Sequence, residues 1–239
     1  MVDFLYMELI RGNVQLEHLN QKLNDDAFLN EYKAKYDNYK TSFLPTLLGK
    51  FLVFSGNLVY GHEPSYLKFR AVEIIARVPY QSWSSAAYTL LTLFFADENK
   101  ALELSRVTKF ARMANDNETM HVVVISHLVQ TEHKKVGFIR HSLIPMLFAF
   151  FYFWMSYILY LLRPRWSYEL NYLFESHAFH QYSIFLNRYG DRLKEKQVES
   201  KFLDWYGRTP ANQFEFFRSI RNDEIIHRNE SIEEIEILK

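Results

Sequence analysis

Asn117-Glu118-Thr119-Met120-His121-Val122 decides how this chain folds, because its inner spacing returns about a hundred residues later in Arg221-Asn222-Asp223-Glu224-Ile225-Ile226-His227. Each stretch holds Glu-x-x-His. On a helix, residues i and i+3 lie on one face, one turn apart, so a carboxylate and an imidazole point the same way. Two isolated glutamates complete the set. Glu73 sits in Val72-Glu73-Ile74-Ile75-Ala76-Arg77-Val78-Pro79, and Glu175 sits in Tyr172-Leu173-Phe174-Glu175-Ser176-His177-Ala178. A glutamate in an apolar helical run is costly to bury unless it is paired or binds a cation.

Alone, each pattern is weak: lone glutamates are usually surface residues, and a chain with 9 His produces Glu-x-x-His by chance. Their order is informative: single Glu, Glu-x-x-His, single Glu, Glu-x-x-His, each on its own helical segment. Four helices contributing those groups inward build the di-iron carboxylate site of ferritin-like bundles. The expected fold is therefore all-α, a ferritin-like four-helix bundle with a di-iron carboxylate site, plus additional helices at a membrane interface.

Composition narrows the chemistry. The 28 basic and 28 acidic residues cancel, so the basic excess of a nucleic-acid binder is missing. Cysteine is absent, which excludes disulfides, thiolate metal sites and cysteine nucleophiles. A metal would have N and O ligands, suiting Fe, Mn or Zn. Gly is scarce, at 7 residues, and no glycine-rich phosphate loop occurs. Aromatic residues make up 17 %, which suits a large apolar core, a membrane-facing surface, or both.

Helical patterns run through residues 42–60, 66–96 with a break or kink at Pro79, 98–133, 142–162, 168–188 and 211–229. Residues 1–40 read as a peripheral helical segment, 41–231 as the metal-binding domain, and 232–239 as a frayed acidic tail. Segment 142–162 is almost wholly apolar and close to the roughly 20 residues needed to cross a bilayer. A buried core helix and a single span are both compatible with it. The mean hydropathy of −0.22 argues against a polytopic protein. A helix lying in the membrane interface beside 42–60 fits best, with Trp154, Arg163 and Arg165 suited to headgroup anchoring. The first residues lack a basic signal start and the acid-poor character of a transit peptide. Either the protein is made where it works or a presequence has been removed; the first is the expectation, in a bacterial-type cytoplasm and at the cytoplasmic face of a bacterial inner membrane.

These stretches resemble the boxes of the alternative oxidases and their plastid terminal oxidase relatives, which are membrane-bound di-iron quinol oxidases. Val72-Glu73 through Val78-Pro79 is similar to the first box (Leu-Glu-Thr, then Val-Ala and Val-Pro). Asn117-Glu118-Thr119-Met120-His121-Val122 is close to the second (Asn-Glu-Arg-Met-His-Leu). Arg221-Asn222-Asp223-Glu224-Ile225-Ile226-His227 fits the fourth (Arg-Ala-Asp-Glu-x-x-His). The third, Leu-Glu-Glu-Glu-Ala, is degraded to Phe174-Glu175-Ser176-His177-Ala178.

The resemblance covers roughly residues 40 to 230. It implies that Glu73, Glu118, His121, Glu175, Glu224 and His227 bind two iron ions. It implies a redox-active Tyr182, and hydrogen bonds from Asn117, Asp223 and Trp205 that orient the ligands. It implies a quinol pocket at Lys68, Val72, His177 and Gln181, attachment to the membrane surface through 42–60 and 142–162, and a homodimer. The implied reaction is quinol oxidation with reduction of O2 to water, without proton pumping.

Two departures concern the pocket. The family has Arg at the position of Lys68 and Glu at that of His177. Arg and Lys differ at a bidentate site, so the ligand set survives while the substrate shell has drifted. Two other readings stay open: a di-iron oxygenase acting on a quinone precursor or lipid, and a non-enzymatic helical protein of the membrane surface.

Overall fold

Asp25, Ser65, Asp97, Ser200 and Asn212 each accept a backbone N–H at the start of a helix, satisfying donors that would otherwise be orphaned there. The computed structural model describes residues 14–238, and among them no strand occurs. Residues 14–22 form α1. It is followed by α2 (Asp26–Ala34), α3 (Phe43–Tyr60), α4 (Tyr66–Ala76), α5 (Val78–Phe94) and α6 (Glu98–Thr131). After a π-turn at Ile139–Leu143 come α7 (Ile144–Leu162), α8 (Pro164–Lys194), α9 (Lys201–Tyr206) and α10 (Gln213–Ile237).

The chain is an all-α, ferritin-like four-helix bundle. One rod is α4 continued by α5. Pro79 lacks an N–H and crowds the preceding turn, so the rod breaks at Arg77. The other rods are α6, α8 and α10. The rod α4–α5 packs along α6, and α10 packs along α8. Each rod turns its glutamate inward: Glu73, Glu118, Glu175 and Glu224 are all buried.

Helices α3 and α7 lie outside the bundle, α3 against α8 and α7 against α4, α5 and α8. Their lengths and hydropathies would allow either to cross a membrane, but both are one-sided. On α3, Phe43, Leu47, Phe51, Phe54 and Leu58 form an exposed stripe at i+3 and i+4 spacing. On α7, Met146, Phe150, Trp154 and Ile158 do the same, while Tyr152, Ser156 and Leu159 are buried against the bundle. Tyr60 Oη donates to the Arg140 carbonyl (2.9 Å), and Arg140 Nε donates to the Val59 carbonyl, tying the end of α3 to the entry of α7.

Two expectations change. The segment before residue 40 is not merely peripheral. Leu16, Leu23 and Leu29 pack with Ile225 and Ile226 of α10, because the outer face of α10 is apolar and needs a cover. The part of residues 1–40 before residue 14 lies outside the described residues. The acidic end does not fray either: α10 runs to Ile237, with Ile232 and Ile235 buried beside Leu104 and Val107 of α6. Apolar residues at i and i+3 hold the last turns down despite the acidic residues between them.

Candidate metal centre

The bundle interior brings all six sequence-predicted ligands together in two overlapping groups. In the first, ligand atoms of Glu73, Glu118, His121 and Glu224 lie within 4.8 Å of one another. In the second, those of Glu118, Glu175 and His227 do the same. Glu118 belongs to both and can bridge two cations. His121 Nδ1 is 3.4 Å from Glu73 Oε2, 3.3 Å from Glu118 Oε2 and 3.7 Å from Glu224 Oε1. His227 Nδ1 is 2.8 Å from Glu118 Oε1. Both imidazoles thus turn the same nitrogen toward the carboxylates.

The residues fit a pair of cations. Both oxygens of Glu118 and Glu224, Glu73 Oε2, Glu175 Oε2 and the Nδ1 atoms of His121 and His227 are buried without a hydrogen bond. Native interiors tolerate few such atoms, and a run of them facing one point signals an ion. Four carboxylates against two imidazoles leave negative charge unbalanced in a dry interior, where charge must be paired or coordinate metal. Burial, with Glu118 next, pushes Glu73 up to about 7. Burial and the neighbouring carboxylates hold Glu224 well above the ordinary glutamate value. Burial would raise Glu118 as well, but His121 and His227 outweigh it and hold its carboxyl well below the usual range. Burial opposes charge on His227, but Glu118 beside it wins and raises the imidazole to about 9. Two divalent cations with carboxylate and imidazole ligands would relieve the repulsion.

A shell of hydrogen bonds fixes the ligands. His121 turns its outer nitrogen, Nε2, to Asp223 Oδ2 at 2.9 Å, the carboxylate–histidine arrangement that orients metal-binding imidazoles. Asn117 Nδ2 donates to Asp223 Oδ2 at 3.1 Å and to Tyr206 Oη at 2.9 Å. Tyr80 Oη donates to Glu175 Oε1 at 2.9 Å, and Asn171 Nδ2 donates in turn to Tyr80 Oη at 3.1 Å. Tyr182 Oη donates to Glu73 Oε1. Its ring stacks on Phe69 with centroids 4.0 Å apart.

Asn117 and Asp223 therefore lie in the hydrogen-bonded network beside the cluster. Trp205 does not: it is 72 % exposed and packs on Phe202. The six-residue α9 can turn only one of two adjacent side chains inward, and it turns in Tyr206. Sequence reasoning also missed Tyr80 and Arg208. Tyr80 lies seven residues after Glu73, two turns along the same rod, so helical spacing carried that signal. Arg208 stands in a loop entered through Gly207, whose φ of +89° ends α9 in the left-handed region. No periodicity marks it.

Lys68, Val72, His177 and Gln181 line one apolar cleft between α3, α7 and the bundle, together with Leu52, Phe148 and Phe174. The cleft spans about 730 Å³ including its open mouth. The buried Tyr182 also lines it, so one side chain borders both the cleft and the carboxylate cluster. Lys68 Nζ donates to Asn57 Oδ1 (3.1 Å), the carbonyls of Gly61 (2.8 Å) and His62 (3.2 Å), and Gln181 Oε1 (3.0 Å). That bond directs the Gln181 amide nitrogen away from Lys68. Burial, then Lys68 and His180, push His177 down to about 4.

Comparison with known proteins agrees with the site. The signature of the Alternative oxidase family matches residues 43–233. The chain is similar to Ubiquinol oxidase 4, chloroplastic/chromoplastic, of Arabidopsis thaliana, at 25 % identity over 240 aligned positions that cover 92 % of this chain. The chain spans 64 % of that relative's length. No solved structure matches it.

Proposed function

The chain belongs to the alternative oxidase family, whose members are di-iron quinol oxidases, and from that premise we propose that it is itself a membrane-associated, non-haem di-iron quinol oxidase that reduces O2 to water without proton pumping. One observation carries the reading: an apolar cleft lined by residues of α3, α7 and the bundle is bordered by Tyr182, whose phenol is hydrogen-bonded to a carboxylate of the cluster. A substrate entering there would be hydrophobic and would stop one side chain short of the metals.

In this reading Glu73, Glu118, His121 and Glu224 would hold one iron, and Glu118, Glu175 and His227 would hold the second. Two irons bound there would supply and accept the electrons that pass from quinol to dioxygen. Two quinols and one O2 give two quinones and two waters, which balances four electrons and four protons. The chain's own groups position and insulate. Gln181, its oxygen held by Lys68, offers its amide N–H groups to a quinol oxygen, and a neutral His177 offers a ring acceptor. Lys68 acts here by anchoring Gln181. Tyr182 keeps its proton, because burial and then Glu73 raise its pKa well above 10. Its place between cleft and cluster suits transfer of an electron together with that proton. Phe69, Phe185 and Phe217 pack around it and exclude water.

The name of the plant relative specifies ubiquinol, and the cleft suits a quinol headgroup with its tail leading toward the α3–α7 face. That face would rest on one leaflet, with 42–60 and 142–162 as the contact. A homodimer belongs to the same reading, and cross-linking in detergent checks it.

The test is oxygen uptake by membranes carrying the chain, supplied with a short-chain quinol, and analysis of the products. Cyanide-insensitive uptake with quinone as the only organic product supports the oxidase. An oxygenated quinone precursor or lipid would replace it with the oxygenase reading. Purified protein devoid of iron and of uptake would leave a non-enzymatic membrane-surface protein.

A further inference from the structure

We infer that Asn20 and Glu17 of α1 are positioning residues for His121, so that the metal centre is held from a helix that precedes the family match at residue 43. The inference rests on the di-iron reading of the cluster. Asp223 is the link. Its Oδ2 meets His121 Nε2 (2.9 Å), Asn117 Nδ2 (3.1 Å) and Arg208 Nη1 (2.5 Å). Its Oδ1 meets Arg208 Nη2 (3.2 Å) and Asn20 Nδ2 (2.6 Å). A carboxylate gripped on both oxygens cannot rotate, and neither can the imidazole it holds.

One of those grips, Asn20, comes from α1 directly, and Glu17 of α1 holds a second, Arg208. Asn20 is 3 % exposed and also donates to the Ser219 carbonyl at 2.7 Å. Its own carbonyl accepts from Asn222 Nδ2 at 2.9 Å. Glu17 receives Arg208 Nε on both oxygens, at 3.1 and 3.0 Å. Arg208 is therefore stretched between Glu17 and Asp223, all three largely withdrawn from water. Without Glu17 the guanidinium would lose the partner that sets its angle. Without Asn20, Asp223 Oδ1 would lose its shortest hydrogen bond. The leucines of α1 supply packing against α10, whereas Asn20 and Glu17 reach past that packing to the residue that orients a ligand.

The test uses the full-length chain and three variants, Asn20→Ala, Glu17→Ala and Leu29→Ala. Leu29 packs in the same cluster on Ile225 and Ile226, and its apolar side chain can make no hydrogen bond to Asp223, so it reports loosening of the N-terminal segment alone. Release of iron to a chelator should speed up about tenfold in Asn20→Ala and Glu17→Ala, the lower end of what loss of an orienting partner does. Leu29→Ala should lower the melting temperature yet release iron at the wild-type rate. In metal-free protein labelled with ¹⁵N-histidine, the ring signals of His121, assigned by their loss in His121→Gln, should shift or broaden in Asn20→Ala and stay in place in Leu29→Ala.

Wild-type release rates with unmoved His121 signals in Asn20→Ala would overturn the inference. So would equal acceleration by Leu29→Ala. If wild-type protein holds no iron, the di-iron reading fails, and the His121 signals alone decide whether α1 positions that ring.

Discussion

Glu118 is the residue on which both halves of the cluster depend, since it is shared by the two groups of ligand atoms. Glu118→Ala should therefore lose both irons, whereas Glu175→Ala should retain the metal held by Glu73, His121 and Glu224. Iron per chain, measured on purified protein, checks the contrast; full occupancy in Glu118→Ala would sink the assignment. Glu175→Ala should still fold, because it removes a carboxylate whose charge burial opposes. Tyr182→Phe removes only the phenolic O–H. It should keep the Phe69 stack and the iron yet lose nearly all oxygen uptake, and wild-type uptake would end the tyrosine's proposed role. The i+3 spacing made the ligand pairs legible in the sequence, since on any helix it fixes a shared face. The choice between Trp205 and Tyr206 was not legible, because six residues hold too little periodicity to say which of two neighbours points inward. Tyr206→Phe should then loosen Asn117 and slow turnover several-fold at unchanged fold, while Trp205→Ala should leave turnover untouched. Steady-state kinetics of the pair decides which residue supports the site.

Among the elements, α3 and α7 each carry an apolar stripe along their length that no described residue covers. Helix α7 exposes Phe150, Phe151 and Trp154 in adjacent turns. Large aromatics bury about 150–250 Å² each, at roughly 25 cal/mol per Å². A few of them seated in a headgroup region therefore outweigh thermal motion by several kcal/mol. The protein should sediment with membranes and need detergent, not salt, for release. Phe150→Glu with Trp154→Glu should shift it toward the soluble fraction, since the charges replace the gain with a desolvation cost. Wild-type protein that is monodisperse without detergent would remove the membrane contact from the reading. The rods themselves were visible as apolar periodicity bounded by caps and prolines. Helix α1 was not visible as part of the site, since Glu17 and Asn20 read as ordinary surface residues until Arg208 and Asp223, about two hundred residues away, come to meet them. The end of α10 was misread for a similar reason. Its glutamates dominate the composition, but Ile232 and Ile235 decide where it lies.

At the scale of the whole molecule, a chain with no net charge concentrates four carboxylates at the dry centre of its bundle. That arrangement costs folding free energy unless cations occupy it, because each carboxylate raises the cost of ionising the others. Metal binding and folding are thereby linked. A cation that binds only the folded chain stabilises it by RT ln(1 + [M]/Kd), about 1.4 kcal/mol for each tenfold rise above Kd. For a chain of this size, roughly 2–4 °C of melting temperature accompanies each kcal/mol. Ferrous iron added anaerobically to metal-free protein should thus raise the melting temperature by several degrees per decade of free metal. In Glu118→Ala, which offers neither group of ligands intact, the dependence should nearly vanish. The two arms separate a metal centre from a structural network. If the carboxylates and imidazoles merely satisfied one another, wild type would melt at the same temperature with and without iron.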